Sequence, residues 1–122
     1  MAPSRRSLGE LGERLAVQHL EAKGYRIVRR GYRTREGEVD IIAERGGVLV
    51  FVEVRCRRGN RMGAAVESLT AAKKRRMVAL AEGYEAGEMA SADRRIDVIA
   101  LDFDERGKLL SLRHLEGAVW AE

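Results

Sequence analysis

A Gly46-Gly47 pair separates two runs of alternating residues, and each run carries one acid: Asp40 before the glycines, Glu53 after them. Upstream, Glu38, Asp40 and Ile42 share one face of a strand, and Val39, Ile41 and Ala43 the other. Downstream, Val48, Val50, Val52, Val54 and Cys56 alternate with Leu49, Phe51, Glu53, Arg55 and Arg57. Two consecutive glycines signal a hairpin, because a type I′ turn needs positive φ at both central positions. With Gly46 and Gly47 as the loop, Arg45 faces Val48; counting outward, Asp40 faces Glu53 and Glu38 faces Arg55. Carboxylates directly opposed across a ladder lie about 4.5–5.5 Å apart at Cβ, and like charges so placed destabilise a sheet. A cation, a shared proton or solvent relieves the repulsion. Mg²⁺ takes one or two carboxylates plus waters and phosphates, so the pair is a candidate divalent-metal site. A solvated strand face with an incidental acid pair has the same spacing.

The elements around this hairpin follow from punctuation and period. Ser7-Leu8-Gly9-Glu10 fits a capping box, which starts a helix over about 8–22. Leu8, Leu11 and Leu15, widened by Ala16, Val17 and Leu20, make its apolar stripe, and Gly24 stops it. Glu13 stands at the edge of that stripe. It is either a rim acid with its head in water or a third carboxylate facing the sheet. Residues 25–33 read as an arginine-rich edge strand, interrupted or bulged at Gly31. After the hairpin, 57–69 has glycines, arginines and no period, which reads as a mobile loop. Thr70 caps a second helix over about 71–86, its first turns filled by Lys73, Lys74, Arg75 and Arg76. Cations at a helix N-terminus oppose the macrodipole; an anionic partner would offset that, and so would water around snorkelling side chains. Residues 95–103 form a strand apolar on both faces, and 108–115 a last strand. His114 is a ligand, a base or a structural residue; His19 carries no functional signal; Trp120 packs as a plug.

The order is helix, three strands, helix, two strands. The crossover helix makes the flanking strands parallel neighbours. The expected fold is therefore α/β, a mixed five-stranded sheet with a helix on each side, in one domain spanning residues 1–122. Lys and Arg exceed Asp and Glu by 23 to 19, a formal charge of +4, and their clustering rather than their number suggests an anionic partner. Cys56 is the only cysteine, which excludes an intrachain disulfide and suggests a reducing compartment. No apolar run approaches the ~18 residues of a membrane helix, and the start lacks an apolar signal core, so a cytoplasmic protein without a membrane partner is expected.

This arrangement resembles the restriction-endonuclease-like three-layer α/β/α fold, whose PD-(D/E)XK sites place an acid on one strand and acid-x-lysine on the next. The chain as a whole is similar to the YraN family of small, uncharacterised, nuclease-like bacterial proteins. The matching pieces are Leu11-Gly12-Glu13, Lys23-Gly24-Tyr25, Tyr32-Arg33-Thr34-Arg35, Gly37-Glu38-Val39-Asp40, Val50-Phe51-Val52-Glu53-Val54-Arg55, Lys73 after Thr70, Arg95-Ile96-Asp97-Val98 and His114. Holliday-junction resolvases share the outline. The resemblance implies a metal-dependent endonuclease cleaving phosphodiester bonds in DNA, branched DNA among the substrates. Its Mg²⁺ or Mn²⁺ would be held by Asp40, Glu53 and the Val54 carbonyl, with Glu13 completing the acidic cluster directly or through water. Arg35, Arg57, Arg58, Arg61, Lys73 and Lys74 would grip the nucleic-acid backbone, and related nucleases are often homodimers. Arg55 stands where the pattern has lysine; it can clamp a phosphate, but a guanidinium does not deprotonate. The alternative is a nucleic-acid-binding module that keeps this fold and has lost catalysis.

Overall fold

The computed structural model describes residues 2–59 and 69–119. Helix α1 (Arg5–Ala22) leads into strands β1 (Arg26–Thr34), β2 (Gly37–Arg45) and β3 (Val48–Arg58), followed by helix α2 (Ala71–Gly83), a 3-10 turn (Gly87–Met89), and strands β4 (Asp93–Phe103) and β5 (Leu109–Val119). The five strands form one sheet in chain order, antiparallel except for β3 beside β4. The single parallel pair is the one joined through α2, as a crossover requires.

Each face of the sheet has its own core. Ile41, Ala43, Val50, Val52, Ile99, Leu101 and Phe103 pack against Leu8, Ala16 and Leu20 of α1. Ile42, Leu49, Phe51, Ile96 and Val98 pack against Met77 and Ala81 of α2. Both helices are amphipathic, and alternation along the central strands supplies an apolar row to each. No helix among the described residues is long and apolar enough to cross a membrane.

Several boundaries differ from those read in the sequence. Ser4, not Ser7, caps α1: its Oγ accepts the Ser7 N–H at 3.1 Å. Glu10 pairs instead with Arg6 one turn back (Nε–Oε1 3.4 Å). The cap moved one turn because two serines three residues apart offer the same hydroxyl, and the earlier one leaves Leu8 inside the helix and buried. Thr70 caps α2 as expected, accepting the Lys73 N–H at 3.1 Å. That helix ends earlier than its pattern, at Gly83, where Arg94 Nη1 donates to the carbonyls of Ala81 (2.5 Å) and Tyr84 (2.8 Å). A cation there satisfies open carbonyls and complements the dipole. β3 runs on to Arg58, so Arg57 and Arg58 belong to a strand, not a loop. β4 starts at Asp93 and β5 continues to Val119. Most of the expected loop, Arg61 included, and Trp120 lie outside the described residues.

α1 approaches β3 closely at Gly12, where an added Cβ would collide with Cys56 Sγ. Gly12→Ala is therefore expected to lower stability by about 1–3 kcal/mol despite the better helix propensity of alanine. Thermal unfolding checks this, and Gly12→Ala with Cys56→Ala should recover most of the loss. Burial pushes the Cys56 thiol up to about 11, in keeping with a packing role.

Candidate acid site at the split of the central hairpin

Gly46 and Gly47 take φ of 58° and 80°, and the β2–β3 register is the one the diglycine turn dictates, from Arg45 opposite Val48 to Ile41 opposite Val52. The ladder stops there, one rung short of Asp40 and Glu53. The Val54 N–H, which the next rung would have used, donates to Asp40 Oδ2 at 2.7 Å. A side-chain carboxylate thus replaces a backbone carbonyl, and the two strands part.

Alternation also inverts at this point. Val39 and Ile42 both join the core under α2, while Ile41 between them joins the core under α1. On β1 the same break appears. Tyr32 packs on the α2 side, whereas Arg30 reaches Glu13 of α1 (Nε–Oε1 3.2 Å). Gly31 between them has φ of 66°, a conformation a side chain would strain. β1 also bulges, but at Val28 and not at Gly31. The inversion brings Asp40 into a cavity of about 350 Å³ lined by Glu10 and Glu13 of α1 with Val54 and Cys56 of β3. Glu53 meets the other helix: Lys73 Nζ of α2 lies 3.5 Å, and Arg55 Nη1 3.6 Å, from its Oε2. The expected common face of Asp40 and Glu53 is thus corrected: Asp40 turns toward α1, and Glu53 toward α2. The expected Glu38–Arg55 neighbours are corrected too, because Glu38 binds Arg33 on β1 (Nη2–Oε2 2.5 Å).

The two acids still sense each other. The Asp40 carboxyl is pushed up to about 7, first by burial and then by the charge of Glu53; the Val54 N–H pulls the other way, and Glu13 and Glu38 add to the rise. Glu53 is 6% exposed and keeps company with two cations. Among the described residues no three Asp, Glu, His or Cys side chains are already gathered around one point. Asp40 through the oxygen outside the Val54 bond, the Glu53 carboxylate and the Val54 carbonyl remain as donors for a hard divalent ion, and a cation would relieve the repulsion that raises Asp40. Oxygen donors of this kind suit a hard ion such as Mg²⁺ or Mn²⁺. Glu13, tied to Arg30, adds field and cavity lining.

The predicted cations scatter. Arg55 and Lys73 converge on Glu53, Arg58 Nη2 donates to the Pro3 carbonyl, Lys74 is exposed on α2, and Arg35 is exposed in the β1–β2 turn. Sequence reasoning placed Lys73 among backbone-gripping cations; its contact with Glu53 depends on how α2 docks, which no local pattern carries.

A second polar cluster went unread. Asp97 is fully buried, and its carboxylate accepts from Arg95 Nε (2.8 Å) and Nη2 (2.9 Å) and from the Gly117 N–H (2.9 Å). It also lies 2.7 Å from His114 Nε2. Burial alone would raise the Asp97 carboxyl, but the bonds from His114, Arg95 and Gly117 outweigh it and hold it below the usual range. Arg95 Nη2 also donates to Tyr25 Oη (2.6 Å), and His114 Nδ1 lies 3.2 Å from both His19 Nε2 and Lys23 Nζ. The cluster locks the end of α1 to β4 and β5, so His114 is a structural residue.

The model of uncharacterised protein family UPF0102 matches residues 12–101. A UPF0102 protein of Pelotomaculum thermopropionicum is 47% identical over 120 residues, covering 97% of this chain and 99% of the relative. One from Roseiflexus castenholzii is 41% identical over 121 residues, 98% of each chain. One from Symbiobacterium thermophilum is 56% identical over 81 residues, 66% of this chain and 69% of its own. The match contains Glu13, Asp40, Glu53, Arg55, Lys73 and Asp97.

Proposed function

The chain belongs to the uncharacterised protein family UPF0102, and we propose that it is a metal-dependent phosphodiesterase acting on nucleic acid, built on a restriction-endonuclease-like fold. The element order and the single parallel pair beside the acid-bearing hairpin support the fold reading. The observation that carries the activity is the pair of acids at the split: a half-buried carboxyl raised to about 7 beside a buried glutamate that holds two cations. Asp40, Glu53 and the Val54 carbonyl would hold Mg²⁺ or Mn²⁺. Bound there, the ion would acidify a water and neutralise charge on the scissile phosphate. Arg55 is a permanent cation able to grip a phosphate oxygen in a bidentate fork. Lys73 provides the ammonium absent from the strand, fixed at the third position of a capped helix.

One observation favours a second reading, a non-cleaving nucleic-acid-binding module. Arg55 and Lys73 already compensate Glu53, so half of the acid pair is satisfied without an ion.

Incubating the purified protein with single-stranded, duplex and branched DNA, with Mn²⁺ or with chelator, separates the two. Metal-dependent cleavage that falls to background in Asp40→Ala and Glu53→Ala is expected. Cleavage that survives both substitutions removes the acid site from the reaction. Binding without cleavage under every condition leaves the module.

A further inference from the structure

We propose that His19 and His114 form an acid-released clasp, in which one ring nitrogen of His114 holds the end of α1 to β5 and lets it go once that nitrogen takes a proton. The clasp belongs to the Asp97 cluster, shares no residue with the cavity around Asp40, and stands whether or not the protein cleaves nucleic acid.

The tautomer of His114 is set from behind. Its Nε2 lies 2.7 Å from Asp97 Oδ2, and the ring is almost fully buried. An ionised carboxylate only accepts, so Nε2 carries the hydrogen and Nδ1 keeps its lone pair. Facing Nδ1 stand two donors from the last turn and cap of α1, His19 Nε2 and Lys23 Nζ, each at 3.2 Å. That lone pair is the one acceptor the two share. A proton on Nδ1 removes it and leaves N–H groups facing one another, with His114 and Lys23 both cationic.

The charges around the two rings are already matched. On β4, Arg95 binds Asp97 through Nε and Nη2 and also donates to Tyr25 Oη. On β5, Glu116 lies 3.6 Å from Lys23 and 4.0 Å from Arg95. Two carboxylates thus face two permanent cations while both rings are neutral, and each added proton is uncompensated. His19 shows the consequence. Burial, then the charges of His114 and Lys23, hold it below its ordinary value of about 6.5. They outweigh the helix dipole, which favours a cation in the last turn. A base lowered by folding lends stability that is present above about 6.5 and is lost as pH falls through the folded value. Once the rings part, the Lys23–Glu116 pair is left between the helix end and β5, and an exposed ion pair holds little. Leu8 and Ala16 keep the body of α1 in the core, so the release is local.

The test is NMR of the full chain, reading ring nitrogens and amide exchange. The chain has two histidines, so His19→Gln assigns both rings. At pH 7.5 His114 is expected as the Nε2–H tautomer with a bare Nδ1. The amides of Lys23, Gly24 and Tyr25 donate to the carbonyls of His19, Glu21 and Leu20 and close the helix. Between pH 7.5 and pH 5 their exchange, corrected for the intrinsic rate, should speed up about fivefold or more through local opening, while the amides of residues 12–16 hold. Glutamine at position 19 keeps a donor for the lone pair and offers an amide oxygen to a protonated Nδ1, so His19→Gln should remove most of the rise. Lys23→Met, which takes away one cation, should reduce it. A His114 carrying a hydrogen on Nδ1 at pH 7.5, helix-end exchange that does not respond to pH, or an equal rise in His19→Gln would overturn the proposal.

Discussion

Asp97→Ala is expected to destabilise the protein by about 3–5 kcal/mol in urea unfolding at pH 7, the range for removing one partner of a buried, hydrogen-bonded charge pair. Asp97 is fully buried, and its two oxygens serve four donors on three residues, two of them side chains and one a backbone N–H. Alanine would leave the Arg95 guanidinium, the His114 ring and the Gly117 N–H facing a void. Part of the loss is therefore the cost of stranding Arg95, which distinguishes this site from a surface ion pair worth less than about 1 kcal/mol. Asp97→Asn should lose less, since an amide oxygen still accepts from Gly117 or Arg95 while its NH₂ faces a donor. The pH dependence has a definite sign. The folded Asp97 carboxyl lies below its ordinary value, so the stability it lends is present above the unfolded carboxylate pKa of about 3.9 and is lost as pH falls through the lower folded value. The wild type should lose stability there, and Asp97→Ala should show less of that acid loss. A cost under about 1 kcal/mol for Asp97→Ala would mean the cluster does not hold α1 to the sheet.

How much of this was legible beforehand depends on whether a feature is local. The diglycine turn fixes φ at two positions, and the β2–β3 register followed from it down to Ile41 and Val52. The parallel β3–β4 pair followed from the length of the crossover, and the helix stripes from period alone. The inversion at Asp40 was not legible, because an alternation template assumes an unbroken pleat and nothing in Val39-Asp40-Ile41 announces a break. Gly31 was the available signal. It reads as an interruption or a bulge in β1; the bulge lies at Val28, and the interruption at Gly31, with its positive φ, serves the same inversion that turns Asp40 toward α1. Asp97 was hidden inside an apolar run, where one carboxylate looks like a tolerated exception; its donors come from β4 and β5, and the cluster reaches on to the end of α1, far apart in the chain. Lys73 stands out in the family resemblance as the lysine after Thr70, but its contact with Glu53 comes only from the docking of that helix.

Asp40→Asn is expected to stabilise the protein by about 3–4 kcal/mol at pH 8 and by almost nothing at pH 4. The Asp40 carboxyl rises from 3.8 to about 7 on folding, chiefly through burial and the charge of Glu53. A raised acid binds its proton more tightly in the folded state. Its contribution is complete below pH 4, where both states are protonated, and it is lost as pH climbs toward 7, at about 1.4 kcal/mol for each pH unit between the unfolded and folded values. Asparagine copies the neutral acid and keeps an oxygen for the Val54 N–H, so it should escape the loss. Urea unfolding at pH 4, 6 and 8 reads the divergence directly; a gain independent of pH would mean that relief of charge is not its source. The same pair of proteins reports on the ion. At pH 8 saturating Mn²⁺ should return stability to the wild type, about 2.7 kcal/mol at a hundredfold excess over Kd, and little to Asp40→Asn. If Mn²⁺ stabilises neither, the repulsion at the split is not relieved by metal, and the raised carboxyl belongs to a binding module that tolerates a proton where a nuclease would need an ion.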